Sequence, residues 1–431
     1  MNFFRSIAVM LMAIASAGLA QVVDTNISEE EDHLRTVLSE TNGSPLEMIR
    51  AFELHLKKFP KSPKRTDIEK AAAKSAIELK DDRRIIEYGE RVLERESDLQ
   101  ILDRVSSALL SSERITPNMA ERALKYSRQF EELVLQISKE PLTNVRDAAR
   151  RKDEVDRGIS RSLVFQSRAL AVLNKNDEAV AAARKAFEWS PSEVAAHELG
   201  KALAKAQKNE DAAKAFVDAF TVPDPRATDA DRELDRKLMV ENWRKAKGSE
   251  AGLGDLILPA YDRNLSLVQQ KRKALREIDP NRDTTNPMEF TLSGMNNDKL
   301  DLKSLRGKVV VLDFWATWCG PCRGQYPLYE EVKKKFKDRK DVVFLAINTD
   351  EDHAIVKPFL DAQKWNKNVY FEDGLSRLLR VENIPATMVF DKQGQLVSRM
   401  NGYVPERFVE MLSSRIHDAL ESGANVIEHK K

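Results

Sequence analysis

Residues 309–312 read Val-Val-Val-Leu, with no polar side chain between them. A strand with one wet face alternates apolar and polar positions. An unbroken β-branched run instead asks for cover on both faces. That demand implies a sheet with helices packed on either side. Further apolar runs at 342–347 and 387–390 supply more strands. Helical patterns at 322–336, 353–363, 375–381 and 405–420 alternate with them. Lys392-Gln393-Gly394 reads as a turn, and Leu396-Val397 opens the strand beyond it. Residues 286–423 are therefore expected to form a mixed α/β sheet that ends in an antiparallel hairpin.

Upstream of 286 the pattern changes. At 431 residues the chain is too long for one ordinary core. Residues 24–32 are acidic and read as a loose lead-in. Residues 25–247 are taken together as an all-α domain, because apolar residues recur three and four apart, as in Ile49, Phe52, Leu56 and Phe59. Breaks fall at Pro60-Lys61-Ser62-Pro63, Thr116-Pro117, Pro141, Ser190-Pro191 and Pro223-Asp224-Pro225. Ala179, Ala183 and Ala186 are echoed by Ala212, Phe216 and Ala219 at an offset of 33, and Leu199-Gly200 allows two helices to approach closely. This stretch resembles tetratricopeptide repeats, whose period is ~34 residues. The resemblance implies helical hairpins that bind a protein partner. The competing reading is an irregular helical bundle without a groove. Residues 248–285 read as a helical linker and 424–431 as a tail.

Charged residues make up 32% of the chain, but their net charge is +1. No basic surface for nucleic acid is expected. Residues 1–20 read as a cleavable signal peptide: Arg5, then an uncharged apolar run over 7–17, then Gly18-Leu19-Ala20 before Gln21. The run is about 11 residues where ~20 are needed to span a bilayer. An uncleaved anchor is the alternative. The expected location is extracytoplasmic, in a bacterial periplasm.

An exported chain often uses cysteines as staples. This one has two cysteines, Cys319 and Cys322, and a bridge closing so small a loop constrains the unfolded chain little. Redox chemistry is the economical reading. The pair lies in Asp313-Phe314-Trp315-Ala316-Thr317-Trp318-Cys319-Gly320-Pro321-Cys322, directly after the buried run and at the opening of a helix. A helix N-terminus offers free N–H groups and the positive end of its dipole, and both favour thiolate over thiol. Thiolate is the attacking species in disulfide exchange. Pro321 suits an early helical position. Half of a zinc site is the other use of such a pair, but no second pair exists and the six histidines are scattered. No metal and no cofactor is expected beyond the cysteines themselves.

Trp-Cys-Gly-Pro-Cys after an apolar strand resembles the thioredoxin superfamily. Residues 288–292, Asn297-Asp298, 302–308 and Pro327 resemble its TlpA/ResA-like branch. The resemblance covers about 286–423 and implies an α/β thioredoxin fold. It implies Cys319 as an exposed nucleophile, Cys322 as the resolving cysteine and Trp318 as an indole covering the site. Gly320 and Pro321, by the same resemblance, adjoin the substrate. Ile384-Pro385-Ala386-Thr387 matches the family's cis-proline loop, where the backbone of Ile384 would pair with a substrate strand. An ordinary trans turn is the alternative there. Asp313 matches a buried carboxylate that exchanges a proton with Cys322. A structural Asp bonded to backbone is the competing role. The lysine that thioredoxins keep near this Asp has no evident match, because 344–347 are apolar.

The combined expectation is an exported thiol–disulfide oxidoreductase. Gly320-Pro321 resembles reducing members, so reduction of disulfides in exported proteins, apocytochrome c among them, is favoured. A membrane thiol transporter is the implied electron donor. The rival is an adaptor in which the helical repeats do the work and the redox domain docks or senses.

Overall fold

The computed structural model describes residues 25–422, apart from 113, 142–144 and 297. The signal segment 1–20 and the tail 424–431 lie outside the described residues.

Helices fill the chain as far as residue 278. They are α1 (Thr25–Ser39), α2 (Pro45–Lys58), α3 (Arg65–Leu79), α4 (Asp82–Leu93), α5 (Leu99–Leu109), α6 (Pro117–Ile137), α7 (Val145–Val172), α8 (Asn176–Trp189), α9 (Glu193–Lys205), α10 (Asn209–Thr221), α11 (Asp229–Lys247) and α12 (Ile257–Ile278). The acidic lead-in is helical rather than loose. Its carboxylates have partners far along the chain: Glu31 meets Lys64 at 2.8 Å, and buried Glu30 accepts from Ser62. An acidic run looks solvated until those partners are in place.

The chain divides into two compact units. One comprises residues up to 133 with 168–175, and the other comprises 134–167 with everything from 176 onward. In the second unit the 33-residue echo is carried by buried positions. Ala179, Ala183 and Ala186 on α8 are buried, as are Ala212, Phe216 and Ala219 on α10. Gly200 is required by packing, since a Cβ there would stand 2.7 Å from the Phe216 ring. The start of α11 is held by a capping box between Thr228 and Asp231, and its end by Gly248 in the left-handed region at φ 76°. Among the described residues, no helix is long and apolar enough to cross a membrane.

From 291 the second unit builds one sheet. Its strands are β1 (Thr291–Gly294), β2 (Lys299–Asp301), β3 (Val309–Trp315), β4 (Val342–Asn348), β5 (Val369–Phe371), β6 (Ala386–Phe390) and β7 (Leu396–Asn401). The spatial order is β2-β1-β5-β4-β3-β6-β7. β3, β4 and β5 run parallel, while β6 pairs antiparallel with both β3 and β7. Four helices accompany the sheet: α13 (Gly320–Lys335), α14 (Val356–Gln363), α15 (Leu375–Leu378) and α16 (Pro405–Glu421).

β3 is buried at every position, and its period of two divides its side chains between two cores. Val310, Leu312 and Phe314 join Leu345, Ile347, Met388 and Leu375 on one face. Val309 and Val311 join Tyr329 and Val332 of α13, and Phe408 and Leu412 of α16, on the other. Asp313 shares the register of Val309 and Val311, so it faces α13. Leu312 is fully buried. Its replacement by Ala should cost about 2–5 kcal/mol through lost transfer energy and a residual cavity. Urea unfolding would register this as a lower midpoint at unchanged slope; an unchanged midpoint would mean that this face is not closed.

Candidate active site

β3 ends at Trp315, and α13 begins five residues later with Cys319 as its N-cap. The cap is made by sulfur: the Cys322 N–H donates to Cys319 Sγ at 3.1 Å. Gly320, Pro321 and Cys322 form the first turn, so the two sulfurs come to one end of the helix. They are joined in a disulfide, with Cα atoms 5.3 Å apart. The Cys322 N–H and the positive end of the α13 dipole face Cys319 Sγ, which favours its thiolate once the bond is reduced.

The resemblance implies an exposed Cys319 sulfur, and the disulfide-bonded structure buries it instead. Cys319 is only 3% exposed, whereas Trp318 is 70% exposed. The pair packs against Trp315, Ala316, Val356, Leu360 and Phe371. Gly320 and Pro321 lie at the surface beside Trp318. The loop conformation is the reason. Asp350, just beyond β4, accepts from the Thr317 N–H and hydroxyl at 2.8 Å each, and is itself held by Asn348 at 2.7 Å. Thr317 is thereby pinned, with Trp315 turned into the core and Trp318 turned out.

Below the cysteine helix lies a second pair of groups. Asp313 is buried, and its carboxylate accepts from Gln325 Nε2 at 3.2 Å. Gln325 also reaches Thr387 Oγ1 at 3.4 Å, tying α13 to β6. Gln325 lies one turn after Cys322, on the same face of α13. The other oxygen of Asp313 faces Lys367 Nζ at 3.4 Å, with both side chains buried. The missing lysine is thus present, but it stands at the approach to β5 rather than in β4. Its ammonium sits 4.4 Å from the Trp315 ring centroid, 5.1 Å from Tyr326 and 5.2 Å from Trp365. Tyr326 and Trp365 are themselves stacked at 4.0 Å. Burial pushes the Asp313 carboxyl above the usual carboxylate range, against the pull of Lys367 and Gln325. Burial likewise pushes Lys367 below the usual ammonium range, opposed by Asp313. Both shifts favour the neutral forms.

The Ile384–Pro385 peptide bond is cis. Ile384 packs against the cluster that holds both cysteines. Pro385 is buried, and its carbonyl accepts from the Gly402 N–H at 2.8 Å, which secures the loop to the end of β7.

Residues 285–415 match the model of the AhpC/TSA family. The C-terminal region is a thioredoxin-like domain of the AhpC/TSA type. The thiol-disulfide oxidoreductase ResA of Bacillus cereus is 32% identical over 115 residues, which are 26% of this chain and 66% of that relative. The match therefore spans slightly under two thirds of that relative's length. ResA of Bacillus subtilis (strain 168) is 29% identical over 136 residues, covering 31% of this chain and 75% of the relative. The crystal structure of a thiol:disulfide interchange protein of the thioredoxin family from Chlorobium tepidum TLS aligns with 30% of this chain and 92% of its own, at 23% identity and a TM-score of 0.27.

In this thioredoxin-like domain the structure gathers Asp313, Cys319, Cys322, Ile384 and Pro385 around one end of the sheet. It adds Lys367, Gln325, Thr387 and Asp350, which sequence reasoning did not select. Gln325 had a local signal, three residues after Cys322. Lys367 had none, since 54 residues separate it from Asp313. Replacing Lys367 with Met removes the positive charge that draws the Asp313 carboxyl downward. Asp313 should then titrate at higher pH than in the unaltered protein, where it already lies above the ordinary carboxylate range. The carboxyl band in difference infrared spectra across a pH series would report this; a downward or null shift would show that the ammonium does not act on Asp313.

Proposed function

We propose that this chain is an exported thiol–disulfide oxidoreductase that reduces disulfides in other exported proteins, including apocytochrome c. The observation that carries the reading is the Cys319–Cys322 disulfide capping α13, with the buried Asp313–Lys367 pair on the β3 face below. The matched relatives named as thiol-disulfide oxidoreductases support it. Export rests on the leader-like pattern of residues 1–20. Residues 25–247 are read as a domain that binds a protein partner through tetratricopeptide-like hairpins, 248–285 as its linker and 286–423 as the redox domain.

In the reduced protein, the Cys319 thiolate attacks a substrate disulfide. One substrate sulfur leaves as thiolate, and a mixed disulfide forms. Asp313 takes the proton of the Cys322 thiol, and the Cys322 thiolate attacks Cys319 Sγ. The second substrate sulfur departs, and the Cys319–Cys322 bond re-forms. Two electrons have passed to the substrate, and a membrane thiol donor returns them. Trp318, Gly320 and Pro321 offer the surface on which the substrate lies, and the Ile384 backbone pairs with its strand.

Insulin reduction is the direct test. The unaltered protein should turn over, Cys319→Ser should abolish turnover, and Cys322→Ser should trap the mixed disulfide. No turnover in the unaltered protein, with partner capture intact, would favour the adaptor reading. Asp313→Asn should slow resolution through Cys322 by roughly 10²-fold or more, the usual scale of general acid–base assistance, and slow the initial attack far less. Equal losses in both steps would remove Asp313 from proton transfer. Direction is decided by titrating the pair against a thiol buffer. A potential near about −270 mV fits a reductase, and one near about −120 mV an oxidant.

A further inference from the structure

Away from the thioredoxin-like domain, α9 presents Glu193 and His197 one turn apart on the same face. Asp235 of α11 meets them. His197 Nδ1 lies 2.7 Å from Asp235 Oδ1 and 3.9 Å from Glu193 Oε1. One ligand atom from each of the three residues falls within 4.8 Å of the others. We propose that Glu193, His197 and Asp235 form a binding site for a divalent transition-metal cation of the zinc type, which clamps α9 to α11.

Four observations lead there. Asp235 is fully buried, yet its Oδ2 has no hydrogen-bond partner. A buried carboxylate oxygen left bare is expensive, and a cation at this point removes the cost. Crowding agrees. Two carboxylates converge on one imidazole nitrogen, with Asp235 Oδ1 2.7 Å and Glu193 Oε1 3.9 Å from His197 Nδ1. Spacing agrees too. Zinc bonds of about 2.0–2.2 Å to N and O ligands place those ligand atoms roughly 3–4 Å apart, so small side-chain rotations suffice. The donor set is the fourth. One imidazole nitrogen with two carboxylate oxygens suits zinc-like cations better than calcium or magnesium, which favour oxygen alone.

The imidazole is positioned for this use. Phe216 of α10 meets it edge-on at a centroid distance of 5.6 Å. Phe216 can sit there because Gly200 leaves the space that a Cβ would take. Ser192 caps α9 immediately before Glu193, accepting from the Ala195 N–H, and thus fixes the turn that projects Glu193. Bound metal would cross-link two helices that are not consecutive, and its binding energy would add to the stability of this region.

The experiment uses the full chain, treated with chelator and kept oxidised so that the cysteines cannot bind metal. Zinc is added, the excess is dialysed away, and metal per chain is measured. Cobalt is used in parallel for its visible absorption. One equivalent of zinc should be retained, with an increase in Tm. His197→Gln and Asp235→Asn should each weaken zinc binding by at least about tenfold, because even groups supporting a metal ligand are worth 10–100-fold. Circular dichroism checks that each variant folds. If Asp235→Asn does not, His197→Gln decides, since its ring is partly exposed. Failure of the unaltered protein to retain zinc would overturn the proposal, as would equal affinity in the folded variants. In either case the cluster would be a carboxylate–imidazole ion pair and nothing more.

Discussion

The constraint on which the site depends is the complete burial of β3. This strand pairs with β4 on one edge and β6 on the other, and packs against helices on both faces. Its alternation leaves no freedom in where Asp313 points. A slip of one residue would carry every side chain to the opposite face, and the carboxylate would lose both Gln325 and the helix bearing the cysteines. The strand also ends where the loop begins. Asn348 and Asp350, at the end of neighbouring β4, therefore lie in position to hold Thr317. One registration of strands sets the height of the disulfide, the direction of Trp318 and the depth of Asp313.

Burying a carboxylate and an ammonium together adds little to stability, because desolvation offsets most of their attraction. The surroundings of Lys367 reduce that cost without removing it. Three aromatic rings face the ammonium, and cation–π attraction gains strength where water is excluded. Burial drives both groups toward their neutral forms, the Asp313 carboxyl upward and the Lys367 ammonium downward. Gln325 and Thr387 complete the setting by joining the cysteine helix, β3 and the strand that follows the cis-proline loop. The buried Asp313–Lys367 pair, the cysteine-bearing helix and the strand after the cis-proline loop are thus tied together.

The helical region solves a different problem. Part of it packs through small residues, with Ala179, Ala183, Ala212 and Ala219 all buried. Close approach of α9 and α10 at Gly200 brings Phe216 against His197. Buried polar groups in such helices need explicit partners, and Asp235 has one for only one of its oxygens. That carboxylate stands where α9, α10 and α11 meet, well separated in sequence from the cysteines.

Much of this was legible in the chain itself. The run at 309–312 announced a doubly covered strand, the following Cys-Gly-Pro-Cys announced a redox pair at a helix start, and residues three and four apart announced helices upstream. These are local signals, since periodicity, capping and dipole act within a few residues. The tertiary structure alone decided the rest. Glu30 and Glu31 became part of a helix because Ser62 and Lys64 were waiting for them. Trp318 turned outward because Asp350, 33 residues after Thr317, fastened the loop. Lys367 found Asp313 across 54 residues, and Asp235 found His197 across 38. No spacing rule reaches that far: charges and hydrogen-bonding groups choose partners by distance through space, and only the packed chain sets that distance.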